Sequence, residues 1–122
     1  MGFTTTDGTY IGNQQIVAGD NTGPVSAQLV LKDPTVYVAV LETARGGIIR
    51  SGLGFDYCDI GVVLNIAADH LGLKDVNTLE DLARVKSVVA RAVSKKGFAV
   101  LNAEDPLVYK MKELVDGRVV CF

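Results

Sequence analysis

From about residue 36 onward, short apolar runs alternate with segments whose apolar residues recur at helical spacing. The apolar runs predict strands over 36–41, 60–66, 98–102 and 118–122. Apolar residues fill these runs without alternation, which is typical of strands buried on both faces between helical layers. Helices are predicted over 26–32, 79–95 and 106–115. Strands separated by such helices indicate parallel βαβ units, and therefore an α/β fold in which a mostly parallel sheet is flanked by helices in three layers.

Two of the predicted helices have clear end signals. Thr78 can cap the helix over 79–95, with Asp81 near the positive end of its dipole, and Gly97 follows as a stop signal. Pro106 suits the first turn of the last helix, with Asp105 or Asn102 nearby as a cap.

The first thirty residues have a different pattern. Residues 4–8 and 19–24 are polar and punctuated by glycine, and they predict loops that are long for a compact domain. Long ordered loops are more often functional than decorative, although a frayed or truncated terminus is the alternative. No internal repeat, low-complexity linker or domain boundary is visible, so the chain is predicted to form one domain.

Composition narrows the class of protein. The chain has 122 residues, of which 48% are hydrophobic and 21% charged, as is ordinary for one soluble globular domain. The net charge is −2, and acidic and basic residues are interspersed along the chain. The sequence therefore indicates no basic surface for binding nucleic acid or an anionic membrane. Cys58 and Cys121 lack CxxC spacing, which favours buried thiols in a reducing compartment. Since no membrane-spanning run or signal pattern is visible, we expect a cytoplasmic protein.

Two of the predicted strands end on side chains that can bind a metal ion. The strand over 60–66 leads to Asp69 and His70, the single histidine of the chain, and the strand over 36–41 leads to Glu42. Ligands of open α/β sheets bind outside the carboxyl ends of the strands. We therefore expect Glu42 and His70 to lie at one edge, where they can bind a hard cation such as magnesium.

Each of these residues also has a structural interpretation. Glu42 can instead pair with Arg45 or Arg50, and His70 can be a satisfied surface or core histidine, or orient a phosphate when protonated. Arg45 is followed by two glycines, which would let backbone N–H groups approach an anion. No nucleophile motif stands near the histidine, so nucleophilic catalysis is not indicated.

Three further residues have an open interpretation. On a helical wheel Lys86 falls within about 70° of the centre of the apolar stripe. It can snorkel to water, or it can point toward the strand ends and contact a phosphate or be modified. Asn102 and Asp105 stand at another strand end, where a capping role and a second role near a nucleotide cannot be separated by sequence.

With these residues in place, the chain resembles the central ATP-binding domain of the Mur-type peptide ligases over essentially its full length. The segments 63–71 (VLNIAADHL), 82–86 (LARVK) and 100–106 (VLNAEDP) are similar to motifs shared across that family. The segments 2–13 (GFTTTDGTYIGN), 19–24 (GDNTGP) and 41–48 (LETARGGI) look particular to its cyanophycin-forming branch.

The resemblance implies a P-loop-NTPase-like fold and an ATP-dependent ligase that uses Mg²⁺. Such an enzyme transfers the γ-phosphate to a carboxylate, and an amine then attacks the acyl phosphate. For this branch it implies arginine joined to the β-carboxylate of a polyaspartate chain. Glu42 matches a magnesium ligand, and His70 matches the ligand of a second magnesium. Lys86 matches a lysine that is carbamylated in many members.

The resemblance also implies that Thr4, Thr5 and Thr6 lie beside the phosphates and the acceptor carboxylate. We further expect Asn65, Asn102 and Asp105 to contact the nucleotide. A fragment of another Mur-type ligase, of the folylpolyglutamate or muramyl-peptide kind, and a non-catalytic association module are the competing hypotheses.

One departure from the family pattern is large. Members carry a GxxGK[ST] loop after their first strand, and these 122 residues contain none. We therefore expect a partial central domain, without the first strand, the P-loop or the C-terminal domain, and no ATP-dependent ligation by this chain alone. An exposed sheet edge would favour pairing with another chain, so we also expect a homo-oligomer.

Overall fold

The computed structural model describes residues 1–67 and 78–122, which form two compact units, Met1–Phe55 and Asp56–Phe122. No composition change or linker in the sequence predicted this division. Each unit has its own sheet with helices packed on it, so the α/β class is confirmed. None of the described helices is long and apolar enough to cross a membrane.

The first unit, described over all of residues 1–55, contains a four-stranded sheet with the order β3-β2-β1-β4. Its elements are β1 (Gly2–Thr4), β2 (Gly8–Ile11), β3 (Gln14–Ala18), α1 (Pro24–Lys32), β4 (Ala39–Leu41) and α2 (Arg45–Ser51). Strands β1, β2 and β3 form an antiparallel meander, and β4 pairs with β1 in parallel. Helix α1 packs closely on β1, since a Cβ at Gly2 would lie 2.6 Å from Cγ1 of the buried Val30.

The loops predicted over residues 4–8 and 19–24 are present at residues 5–7 and 19–23. They are shorter than predicted, because strands β1, β2 and β3 occupy most of the amino-terminal segment. Strands β2 and β3 are joined by the two residues Gly12 and Asn13, and Gly12 has a φ of 61°. A Gly-Asn pair between strand-forming residues is a hairpin signal. The hairpin was not predicted because β3 is exposed along its whole length and has no buried face.

The second unit contains a parallel sheet with the order β5-β6-β7 over the described residues 56–67 and 78–122. Its elements are β5 (Cys58–Val63), α3 (Leu79–Arg91), β6 (Val93–Leu101), α4 (Pro106–Tyr109), a 3₁₀ helix (Lys110–Leu114) and β7 (Arg118–Cys121). One face of the sheet packs on the helices around a core that includes Val63, Ala90, Leu101 and Val108. The predicted parallel βα pattern is thus confirmed.

The predicted helix ends are partly confirmed. The hydroxyl of Thr78 caps α3 by accepting from Asp81 N–H at 3.0 Å, and Asp105 caps α4. However, α3 ends at Arg91, so Gly97 does not stop it. Gly97 lies inside β6, where a Cβ would collide with the carbonyl oxygen of Asp59. The glycine is therefore a close-packing position between two strands.

The prediction that the strands are buried on both faces was wrong for the second sheet. Ile60 is 62% exposed and Leu64 61%, and they lie on the face opposite the core. Phe98 is paired with Ile60, and Val120 is aligned with Val62 through β6, so the exposed apolar face spans all three strands. Apolar residues on both faces of a strand do not by themselves show that both faces are covered.

The two thiols also differ from the prediction of buried cysteines. Both are free, but Cys58 is partly buried and Cys121 is exposed. Burial, with a smaller contribution from the charge of Asp59, raises the pKa of the Cys58 thiol.

Candidate functional site

In the first unit, the carboxyl edge of β1 and β4 brings together residues that the sequence assigned to one site. Thr4 is the parallel partner of Leu41, and the Glu42 N–H donates to the Thr4 carbonyl oxygen at 3.1 Å. Glu42 and Thr5 therefore follow neighbouring strands at the same edge. Glu42 and Thr6 are exposed and Thr5 is partly buried, whereas Thr4 is only 2% exposed.

The loop after β1 is held in a tight turn by its own hydrogen bonds. The Thr5 N–H donates to the Gly8 carbonyl oxygen at 2.9 Å, and the Thr5 hydroxyl accepts from the Asp7 N–H at 3.0 Å. This arrangement places carboxylate and hydroxyl oxygens at one sheet edge. Such hard donors fit a magnesium ion or the phosphates that accompany it.

Asn21 supports this loop, and sequence reasoning did not single it out. Its buried side-chain oxygen accepts from the Thr9 hydroxyl at 2.8 Å and from the Ser26 hydroxyl at 2.9 Å. Its N–H donates to the Thr5 carbonyl oxygen at 3.1 Å. The segment 19–24 (GDNTGP) thus supports the loop that contains Thr5 and Thr6. The cluster of polar residues in this segment was the sequence feature that could have indicated the role of Asn21.

The glycines after Arg45 do not form an open anion-binding loop. Arg45 begins α2, a helix of seven residues whose cap Ala44 makes no side-chain hydrogen bond. Gly47 is buried, and a Cβ there would lie 3.2 Å from the Cα of Gly23. Gly47 therefore allows close packing, and the predicted anion contact gains no support from the backbone.

In the second unit, the carboxyl edge of β5 and β6 joins two segments that the sequence also assigned to the site. Asn102 follows β6, and its amide nitrogen donates to the Leu64 carbonyl oxygen at 3.0 Å. The Asp105 carboxylate accepts from the Ile66 N–H at 2.8 Å. Asn65, between the two contacted residues, is exposed.

A cleft of about 420 Å³ opens at this edge. It is lined by apolar and polar residues, namely Ile66, Leu79, Asn102, Glu104, Asp105, Pro106 and Leu107. Ligand sites commonly combine apolar walls with a few placed polar groups. The cleft therefore combines apolar surface with polar groups at the carboxyl edge of β5 and β6.

Lys86 is the remaining predicted site residue that the structure describes. Lys86 lies on α3 and is partly buried, as expected for a lysine at the edge of an apolar stripe. Asp69 and His70 lie outside the described residues. Within residues 1–67 and 78–122, no three His, Cys, Asp or Glu side chains form a group that could hold a metal ion.

Comparison with known proteins gives a consistent result. The Mur ligase middle domain family matches residues 1–121. The whole chain is 65% identical to part of a cyanophycin synthetase from Crocosphaera subtropica and 60% identical to part of one from Synechocystis. It spans about one seventh of these relatives, 14% of their length.

A more distant ligase matches half of the chain. Over 61 residues the identity is 44% to a UDP-N-acetylmuramoyl-tripeptide–D-alanyl-D-alanine ligase from Mycobacterium tuberculosis, of which 12% is covered. The resemblance inferred from the motifs is therefore confirmed, both for the wider family and for the cyanophycin branch.

Proposed function

Because the chain belongs to the Mur ligase middle domain family, we propose that it forms part of an ATP-dependent ligase that makes cyanophycin. The intact protein would join arginine to the β-carboxylate of a polyaspartate chain. Identity of 59% to 65% over the whole chain to several cyanophycin synthetases supports this branch. In the structure, the proposal rests on Glu42 and the Thr4–Thr6 loop lying at one sheet edge.

The proposed reaction has two steps. A β-carboxylate oxygen attacks the γ-phosphorus of ATP, so ADP leaves and an acyl phosphate forms. The uncharged amine of arginine then attacks the acyl carbon, and inorganic phosphate leaves as the amide bond is made. Both steps require positioning and charge stabilisation rather than a protein nucleophile.

Residues of this chain would supply part of that positioning. Glu42 and His70 would bind magnesium, which when bound neutralises charge on the phosphate oxygens. The Thr5 and Thr6 hydroxyls would donate hydrogen bonds to the phosphates or the acceptor carboxylate. Lys86 would add positive charge, or a metal-binding carbamate if it is modified. Thr4, being buried, would act through its backbone.

The cleft of the second unit would hold the nucleoside end of ATP. Asn65 and Asn102 offer amide groups at the edge that borders the cleft, and Ile66 and Pro106 offer apolar surface. Asp105 has fewer free lone pairs, since three backbone N–H groups already donate to its carboxylate.

A cytoplasmic location of the protein is part of the proposal.

Assays of the intact protein test the proposal. We expect ADP, phosphate and a new amide bond when ATP, Mg²⁺, arginine and an aspartate-chain acceptor are all present. Use of a folylpolyglutamate or muramyl-peptide acceptor instead would place the protein in another branch. Absence of ligation with every acceptor, together with stable self-association, would favour an association module.

The 122-residue chain by itself is expected to bind Mg-ATP weakly or not at all. The GxxGK[ST] loop, whose backbone N–H groups and lysine hold the phosphates, does not occur in these residues. Calorimetric titration with Mg-ATP should therefore show little heat, with the intact protein as the positive control. Micromolar affinity of the chain alone would contradict this expectation.

We also propose that the chain self-associates through the exposed face of β5, β6 and β7. Ile60, Val62 and Phe98 expose apolar surface on adjacent strands, and such patches mark interaction sites. Light scattering should show a mass that rises with concentration. Val62→Lys should reduce this association, whereas Val25→Lys, at a site 76% exposed on α1, should not. A stable monomer at high concentration would contradict the proposal.

A further inference from the structure

The carboxylate of Asp105 accepts backbone hydrogen bonds from two segments that are far apart in sequence. Oδ1 accepts from the N–H groups of Leu107 and Val108 at 3.0 and 3.3 Å, which caps α4. Oδ2 accepts from the Ile66 N–H at 2.8 Å. The second bond is not needed for capping, and it joins the start of α4 to the chain leaving β5.

Asn102 makes a similar link to Leu64, which lies two residues before Ile66. Its Nδ2 donates to the Leu64 carbonyl oxygen at 3.0 Å, while its Oδ1 accepts from the Glu104 N–H at 3.0 Å. The paired positions of β5 and β6 end at Val63 and Leu101. Backbone groups beyond that point need other partners, and these two side chains provide them.

We infer that Asp105 is a positioning residue for Asn65. Asn65 is exposed, and the backbone of both its neighbours is held, through the carbonyl oxygen of Leu64 and the N–H of Ile66. Asp105 and Asn102 therefore fix the path of the chain at the one residue between them. This inference rests on the proposed function, in which the Asn65 side chain contacts the nucleotide.

The chemistry of the carboxylate separates this role from simple capping. Asparagine caps helices about as well as aspartate. It has one acceptor oxygen, however, and its other terminal atom is a donor that would face the Ile66 N–H. Asp105→Asn therefore keeps the cap of α4 and removes the link to β5, which makes it the discriminating variant.

The first measurement is amide hydrogen exchange in the 122-residue chain. In Asp105→Asn the Ile66 amide should exchange faster, while the amides of Leu107 and Val108 remain protected. Asp33→Asn is the matched control, because that carboxylate accepts only from Thr35 in the described contacts and lies on the other unit. Unchanged Ile66 exchange in Asp105→Asn would overturn the link, whatever the ligation assay gives.

The second measurement is a double-mutant cycle on the KM for ATP in the intact protein. Asn65→Ala should raise that KM about fivefold, the size expected for losing a hydrogen bond to an uncharged nucleoside. Asp105→Asn should raise it by a smaller factor, and the double variant should match Asn65→Ala alone. If the KM increases of the two single variants multiply in the double variant, the inference is wrong, because Asp105 would then act on ATP binding independently of Asn65. A wild-type KM in Asp105→Asn would overturn it too.

The two measurements distinguish failure of the proposed function from failure of the positioning role. If the intact protein does not turn over ATP, the proposed function fails, and faster Ile66 exchange would still support the link itself. If ligation is normal but the cycle is multiplicative, the proposed function stands and the positioning role is wrong.

Discussion

Glu42→Gln is expected to lower the ligation turnover of the intact protein at least about a hundredfold, the loss typical of removing a group that stabilises transition-state charge. Glutamine keeps the shape of the side chain but not its charge, and magnesium prefers carboxylate oxygens. Glu42 is exposed immediately after β4, beside the end of β1, so the exchange should leave the fold intact. Initial rates at saturating ATP, arginine and acceptor would measure the effect.

Two further variants make this prediction specific. His70→Ala should cause a loss of similar size if both residues bind metal, and raising the Mg²⁺ concentration should recover part of the activity in each. Glu113→Gln is the matched control, since Glu113 is an exposed carboxylate on the 3₁₀ helix. Near-normal turnover in Glu42→Gln and His70→Ala would remove both residues from the site.

Leu101→Ala is expected to lower the free energy of unfolding by about 2–5 kcal/mol, the usual range for truncating a buried leucine. Leu101 is fully buried at the end of β6, between Val63 of β5 and Cys121 of β7. Truncation would remove apolar contacts from the core and leave a cavity under the sheet edge that carries Asn102. Urea unfolding of the 122-residue chain would measure the change.

The opposite face of the same sheet provides the control. Val62 neighbours Val63 in β5 but is 49% exposed. Val62→Ala should therefore change the free energy of unfolding by less than about 1 kcal/mol, because less apolar surface leaves contact with the core. Equal losses in the two variants would mean that the core is not where the structure has it.

The second half of the fold was predictable because its signals are local. Thr78 and Asp105 cap their helices through contacts within three residues, and the apolar runs of β5 and β6 stand out in the sequence. In the first unit, the predicted helix over 26–32 and strand over 36–41 correspond to α1 and β4. The β1-β2-β3 meander was not predicted, because β3 has no buried face. The position of Gly97 inside a strand depends on contact with Asp59, which no local pattern encodes.

The candidate site was predictable to the same extent. The rule that ligands bind at the carboxyl ends of strands singled out Glu42, which the structure places beside the threonine loop. The prediction that the strands leading to Glu42 and His70 are neighbours was wrong, because β4 and β5 belong to different sheets. Asn21 was missed because its role depends on partners such as Thr9, twelve residues away on another strand. The link from Asp105 to Ile66 spans 39 residues. It was not predictable either, because capping of α4 already accounts for an aspartate at this position.

Transfer of oxygen from acceptor to phosphate tests the central claim most directly. An aspartate-chain acceptor with ¹⁸O-labelled β-carboxylates would be incubated with the intact protein, ATP, Mg²⁺ and arginine. Formation of an acyl phosphate predicts that each amide bond releases inorganic phosphate carrying an ¹⁸O atom, alongside unlabelled ADP. Amide formation with unlabelled phosphate, or with the label in AMP, would contradict the account.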